Sequence, residues 1–296
     1  MNCNGYDMKE LHNGIEITGV RDFNPIHTFE CGQCFRWHKE ADGSFTGVVR
    51  EKAVNISYYP DELCLVIRNS SLEDFKNIWF DYFDLGRDYG VIKKAVAIDD
   101  IMQRAVSFGS GIRLLRQEPW EALISFILSS NNRIPRIMKI IEKLSEMYGN
   151  ELEYDGKKYY GFPTAANLAA GSPEQIQECR AGYRCRYISQ TAASVASGEF
   201  DLQELKLLDT PEAKKYLMQL SGVGGKVADC VLLYSGTKQD VFPADVWVKR
   251  VMQELYFRRE ASIHEIHQFA SDKFGEFSGI AQQYLFYYAR EQKIGI

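Results

Sequence analysis

The chain has 296 residues, 45% of them hydrophobic and 25% charged, with a formal net charge of -5. A chain of that length is expected to fold as roughly two domains with sizeable cores, and its acidic balance counts against a uniformly basic surface while allowing a local basic face. No stretch reaches the ~18 uninterrupted apolar residues of a membrane span, and no basic and apolar leader with a small-residue cleavage site opens the chain, so a cytoplasmic, monomeric protein is expected.

The first hundred residues carry strand signals: GIEITGV (Gly14 to Val20), AVNISYY (Ala53 to Tyr59), with Val54, Ile56 and Tyr58 on one face, and ELCLVIR (Glu62 to Arg68). They predict an antiparallel sheet. From Ser71 the period becomes helical, because Ser71 and Asp74 resemble a capping box and Leu72, Phe75, Ile78, Trp79 and Tyr82 follow at helical spacing. Pro119, Pro135, Pro173 and Pro211 each precede a further helix, with Ser172 and Thr210 as the expected N-caps of the last two, and Gly149-Asn150 ends the helix that carries Ile137, Ile140, Ile141 and Leu144. The change of period divides the chain into a sheet domain with flanking helices, 1–107, and a helical domain, 108–296.

Seven cysteines (Cys3, Cys31, Cys34, Cys64, Cys179, Cys185 and Cys230) are odd in number and scattered, which favours reduced thiols. Cys31 and Cys34 have the C-x-x-C spacing of a redox or metal pair, but no second pair stands at zinc spacing and the flanks do not read as a thioredoxin helix.

LSGVGGKVADC (Leu220 to Cys230) places a glycine turn between two helical patterns. Gly222-Val223-Gly224 implies positive φ or a close backbone approach, and the free N–H groups at the start of the second helix make an anion site for which a DNA phosphate is one candidate. Lys226 sits in that helix's first turn, where the macrodipole disfavours a cation and favours an amine free to act as a nucleophile. The plain alternative is a lysine that reaches solvent. In FPADV, Asp245 is placed to cap a helix over Val246 to Tyr256, and sequence spacing leaves open whether it shares a cleft with Lys226.

GVGGKVADC followed by FPADV resembles the helix-hairpin-helix DNA glycosylases, and the lysine form with cysteine four positions later is similar to the 8-oxoguanine DNA glycosylase branch. RLLRQEPWEALISFILSSNNRIPRI, ECGQCFRW, GYRCRY and GIAQQYLF resemble other segments of that family in the family's order. The resemblance implies an α+β protein, an antiparallel sheet domain packed on a helix-hairpin-helix glycosylase domain. The same resemblance implies action on double-stranded DNA containing 8-oxoguanine, in the nucleoid of a prokaryote or the nucleus of a eukaryote.

By the same resemblance, Lys226 attacks the sugar C1′ and forms a Schiff base, and Asp245 stabilises the charge developing on the sugar. The carbonyl of Gly32 reads the N7–H that distinguishes 8-oxoguanine from guanine, Cys230 and Phe286 sandwich the flipped base, and Gln282 reads its pairing edge. Asn131, Arg136 and Arg184 bind the estranged cytosine, with Tyr183 as the wedge. Gly222 and Gly224 belong to the DNA-binding hairpin. No cofactor is implied: the four closely spaced cysteines of the iron–sulfur relatives are missing, and only a structural cation at the hairpin is left open.

Arg133, Arg136, Lys139 and Lys143 form one basic stripe of a helix, which by itself suits phosphate binding. Two positions depart from the family pattern: Trp247 stands where a histidine is common and Ala289 where an aspartate is common. The remaining alternatives are another oxidised or ring-opened purine as substrate, or a hairpin protein that binds DNA without chemistry.

Overall fold

A computed structural model describes residues 2–295. Its main sheet has seven antiparallel strands: β1 (Asn2–Cys3), β2 (Tyr6–Leu11), β3 (Gly14–Thr18), β4 (Trp37–Lys39), β5 (Phe45–Val49), β6 (Lys52–Tyr59) and β7 (Cys64–Arg68), in the order β1-β2-β3-β7-β6-β5-β4. The three expected strands are its centre, with Ile15, Ile17, Val54, Ile56, Leu65 and Ile67 fully buried. The strands that flank them were not expected from the sequence. β2 buries only Met8 among its six residues, β4 is three residues long, and β5 contains Gly47, where a Cβ would lie 2.4 Å from the Trp37 ring.

The Ser71–Asp74 capping box is formed, and the helix it starts runs through a π-type turn at Phe75–Trp79 to Tyr82. Phe75, Trp79, Tyr82 and Phe83 cover the sheet together with Phe23, Phe29 and Trp37, making the first core.

A second core begins at Tyr89 and takes in the helices Tyr89–Val96, Asp100–Phe108, Pro119–Ser129, Ile134–Tyr148, Arg184–Ala196, Thr210–Leu217, Gly225–Tyr234 and Ser278–Glu291. Cys31 and Phe35, from the loop before β4, insert into it. The N-terminal segment therefore reaches directly into the helical layer, which brings Gly32 to the helices named below.

The caps follow the sequence with one correction. Ser172 caps Pro173–Ile176, but Asp209 rather than Thr210 caps Thr210–Leu217. Its carboxylate forms a reciprocal capping box with Glu212, and the Thr210 hydroxyl instead donates to Asp240. A second small sheet, β8 (Glu151–Tyr154) with β9 (Lys157–Tyr160), was not expected. It turns at Asp155-Gly156, both with positive φ, the geometry of a two-residue hairpin. The helix expected over Val246 to Tyr256 is Val246–Met252 continued by a π-type turn, Gln253–Phe257.

Candidate active site

Helix Gly225–Tyr234 starts at Gly224 without a side-chain cap, so its first N–H groups are open to an acceptor from outside. The hairpin before it needs glycine at Gly222, where φ is +80° and a Cβ would lie 2.7 Å from the Tyr187 ring. Gly224 has an ordinary φ of -95°, and a Cβ there would meet nothing within 4 Å; its part is to leave the hairpin tip approachable.

Lys226 is half-buried and does not point into bulk solvent. Its Nζ donates to Ser129 Oγ at 3.1 Å and lies 5.4 Å from the centre of the Phe126 ring. The Ser129 hydroxyl donates its single proton to the Phe126 carbonyl, 2.8 Å away, so toward Lys226 it is an acceptor. Asp245 caps the following helix by accepting from the Val248 N–H at 2.8 Å, and that hydrogen bond fixes the carboxylate's direction. Lys226 and Asp245 line one cavity of ≈ 110 Å³, which answers the question that spacing left open.

The same cavity brings together Gly32, Cys230, Gln282 and Phe286 from three different parts of the chain. Burial pushes the Cys230 thiol up to about 11, so it is a neutral wall and not a competing nucleophile. Gln282 is 3% exposed, and its Oε1 is buried with no protein partner, an orphan acceptor beside an empty volume. Gly32 has φ +89°, and among the described residues its carbonyl accepts no hydrogen bond from the chain. Phe286 is half-buried, with the Trp247 ring at 5.2 Å and 89° and the Arg290 guanidinium 5.8 Å from its centre.

The residues expected to hold the opposite strand sit at two neighbouring helix starts: Asn131 and Arg136 in and after the loop before helix Ile134–Tyr148, Tyr183 and Arg184 at the start of helix Arg184–Ala196. Tyr183 is 58% exposed, and Asn131 and Arg136 are exposed, Arg136 donating to the Arg180 carbonyl at 3.3 Å. Arg184 differs from the expectation of a free donor. It is 3% exposed, under the Tyr183 ring, and its guanidinium donates to the carbonyls of Ser130, Asn131 and Ala181, which lock the two loops together. Arg133, Arg136, Lys139 and Lys143 are all exposed, although Lys143 pairs with Glu146 at 2.7 Å.

Cys31 and Cys34 are buried thiols that donate to the Thr28 and Phe29 carbonyls. Burial pushes Cys31 up to about 12. All six cysteines with described side chains are free; the side chain of Cys3 lies outside the described residues. Ser129, Phe126 and Tyr234 also line the cavity and were not singled out from the sequence. Ser129 stands in the quoted SSNN block, but nothing in its spacing sets it apart from Ser130. A larger cleft of ≈ 500 Å³, lined by β4, β5, β9 and helix Ile134–Tyr148, includes Lys139 and Lys143 of the basic stripe but none of Lys226, Asp245, Gly32, Cys230, Gln282 and Phe286.

Two family models match the chain: 8-oxoguanine DNA glycosylase, N-terminal domain, over residues 17–123, and HhH-GPD superfamily base excision DNA repair protein over residues 124–275. Among solved structures, the chain is similar to MBOgg1 in complex with a low-affinity DNA ligand, at 51% identity and a TM-score of 0.95, covering 97% of this chain and 99% of that one. It is similar also to the Clostridium acetobutylicum 8-oxoguanine glycosylase/lyase bound to double-stranded DNA with cytosine opposite 8-oxoG, at 45% identity and a TM-score of 0.94, covering 98% and 99%. A probable N-glycosylase/DNA lyase of Methanothermobacter thermautotrophicus is 34% identical over 200 residues, 61% of this chain and 64% of that protein, so the match spans a little under two thirds of that relative. Among the described residues, no helix is long and apolar enough to cross a membrane.

Proposed function

The chain belongs to the HhH-GPD superfamily of base excision DNA repair proteins, and from that premise we propose that it excises 8-oxoguanine from double-stranded DNA and cleaves the strand as a lyase. The observation that carries this reading is the cavity itself: the residues that bear one amine, one carboxylate, one orphan amide oxygen and one unengaged carbonyl line the same small volume.

The target atom is hidden in a duplex, so the nucleotide is first flipped out, with exposed Tyr183 as the wedge and the uncapped helix start holding a phosphate. The base enters between the Phe286 ring and the Cys230 thiol. The Gly32 carbonyl accepts from the N7–H of 8-oxoguanine; guanine carries a lone pair there, which meets the carbonyl lone pairs and is rejected. Gln282 satisfies its orphan oxygen on the base's pairing edge. Asn131 and Arg136 face the estranged cytosine, and Arg184 joins them by exchanging a loop carbonyl for the cytosine acceptors.

The lone pair of the Lys226 amine then attacks C1′. The N–C1′ bond forms as the C1′–N9 bond breaks, and the base leaves with the electron pair and takes up the proton that the newly bonded amine releases. Asp245 stabilises positive charge on the sugar as this happens. Opening of the sugar ring converts the aminal to a Schiff base with a 4′-hydroxyl; loss of a C2′ proton then expels the 3′-phosphate and cuts the strand. Each step uses groups of this chain or of the DNA alone.

Borohydride tests the proposal. The wild-type protein should be trapped as a covalent adduct on an 8-oxoguanine duplex, and Lys226→Gln should give no adduct while retaining lesion binding. An undiminished adduct from that variant assigns the chemistry to another amine, and no adduct from the wild type leaves a DNA-binding protein without lyase chemistry.

A further inference from the structure

The turn that carries Gly32 is held on both sides of that residue. The Glu30 carbonyl accepts from Arg290, the Cys31 carbonyl from Gln283 Nε2 at 3.0 Å, and the Gln33 carbonyl from Gln117 Nε2 at 2.8 Å. Among these four consecutive carbonyls, that of Gly32, a residue lining the cavity, alone accepts no hydrogen bond among the described residues.

Two of the three holding side chains lead to the same place. Gln283 is fully buried, and its Oε1 accepts from the Tyr234 hydroxyl at 2.6 Å. Gln117 is 7% exposed, and its backbone N–H donates to the Tyr234 carbonyl at 2.9 Å. Tyr234 is the last residue of the helix that bears Lys226 and Cys230. Its ring stacks on Phe126, 5.0 Å apart and 19° from parallel, and Phe126 is the ring against which the Lys226 amine lies. Two buried glutamines therefore tie the base-reading turn to the far end of the nucleophile's helix.

We propose that Gln283 and Gln117 are positioning residues for damage discrimination, setting the Gly32 carbonyl at a fixed distance from the Lys226 amine. The inference rests on the glycosylase reading above. 8-Oxoguanine and guanine differ at this contact by one proton, so the preference depends on an acceptor held in place and not on the volume of the pocket. Because the carbonyl and the amine share one braced frame, a base that the carbonyl rejects also presents its C1′ out of line with the amine. Discrimination then appears in the rate of excision as well as in binding.

The test replaces Gln283 with methionine, which keeps the volume and removes both hydrogen bonds. Three quantities are measured on full-length protein: single-turnover excision of 8-oxoguanine, the ratio of affinities for 8-oxoguanine and guanine duplexes, and strand cleavage at a preformed abasic site, which has no base to read. For Gln283→Met the excision rate and the affinity ratio should each fall about tenfold, the scale of one displaced hydrogen bond, while abasic-site cleavage stays within about twofold. An equal fall in excision and abasic-site cleavage, or an unchanged affinity ratio, overturns the proposal. Gln117→Met carries the same expectations and decides the matter if Gln283→Met does not fold. A wild-type protein that cleaves abasic sites but leaves 8-oxoguanine intact overturns instead the substrate assigned to the site.

Discussion

Replacing Gly32 with alanine separates two costs that the structure places at one residue. The first is conformational: φ is +89°, and a left-handed backbone costs a residue with a Cβ about 1–2 kcal/mol. For a chain of this size that corresponds to a fall in Tm of roughly 2–3 °C. The second is local crowding, because the new Cβ would lie 3.0 Å from Phe286 Cε1, 3.4 Å from Arg290 Nη1 and 3.6 Å from Ile134 Cδ1. The Phe286 ring has little freedom to give way, with the Trp247 ring against it. The ring or the turn shifts by a few tenths of an ångström, and the hydrogen bond to the base loses about 1 kcal/mol on top of a narrowed stacking slot. In a Lys226→Gln background, where binding is measured without turnover, Gly32→Ala should lower affinity for an 8-oxoguanine duplex at least about tenfold. Affinity for an intact duplex should barely change. Calorimetry reports the conformational cost and fluorescence anisotropy the recognition cost. Equal losses on damaged and intact duplexes would show that the carbonyl at Gly32 reads nothing.

Cys230→Ala should reduce the preference for damaged over intact duplex severalfold, and an unchanged ratio would remove the thiol from the pocket wall. With that thiol pushed up to about 11 by burial, the ratio of wild-type to variant rates should be flat from pH 6 to 9; a thiolate acting in the reaction would produce a slope. Tyr183→Ala removes a side chain that is 58% exposed, so urea unfolding should move by no more than about 0.5 kcal/mol while excision from a duplex slows markedly; equal loss on a duplex that already carries an abasic site would argue against a wedge. Glu265 is held down to about 2, first by the Ser262 backbone N–H and then by Arg259. Its folded pKa is depressed, so its contribution is complete above the ordinary carboxylate range and is lost as pH falls from about 4.5 toward 2. Glu265→Gln does not titrate, and its stability should converge on that of the wild type across this window; a constant gap between the two denaturation curves would exclude the linkage.

What the sequence disclosed depended on how much of each signal was local. The strands β3, β6 and β7 carry their own alternation because they are central and bury a full face. β2 buries only Met8, with Tyr6 packed half-buried against the first core, and β5 owes its burial to Trp37 packing on Gly47, a contact that no period displays. The hairpin at Asp155-Gly156 did carry its turn pair, but its strands bury no residue fully and leave little apolar pattern to support it. At the site, Lys226 and Asp245 were legible because each occupies a helix start, where capping and dipole rules apply to single residues. Ser129 and Tyr234 were not, since a serine and a tyrosine at helix ends look like any others until the fold brings Phe126 between them. Arg184 was legible as a residue and not as a state: the resemblance marked it as a donor to the estranged cytosine, and nothing in the sequence showed that three carbonyls would hold it below the surface.

The two departures from the family pattern, Trp247 and Ala289, become intelligible together around Phe286. Ala289 is fully buried, one turn after Phe286 on the last helix. A carboxylate there would need a cationic or hydrogen-bonding partner, because an unpaired buried charge is strongly destabilising. Trp247 offers only a ring and an indole N–H, so an acid at 289 and a tryptophan at 247 make a poor pair, and an alanine removes the conflict. The ring then takes up a different task, meeting Phe286 at 89° while Arg290 covers it from another side and reaches back to the Glu30 carbonyl. In this chain the stacking platform is therefore fixed by aromatic packing and one cation, and the same cation steadies the turn that presents Gly32. Substitutions at 247 and 290 are coupled through one ring, and their effects on damage recognition will not add.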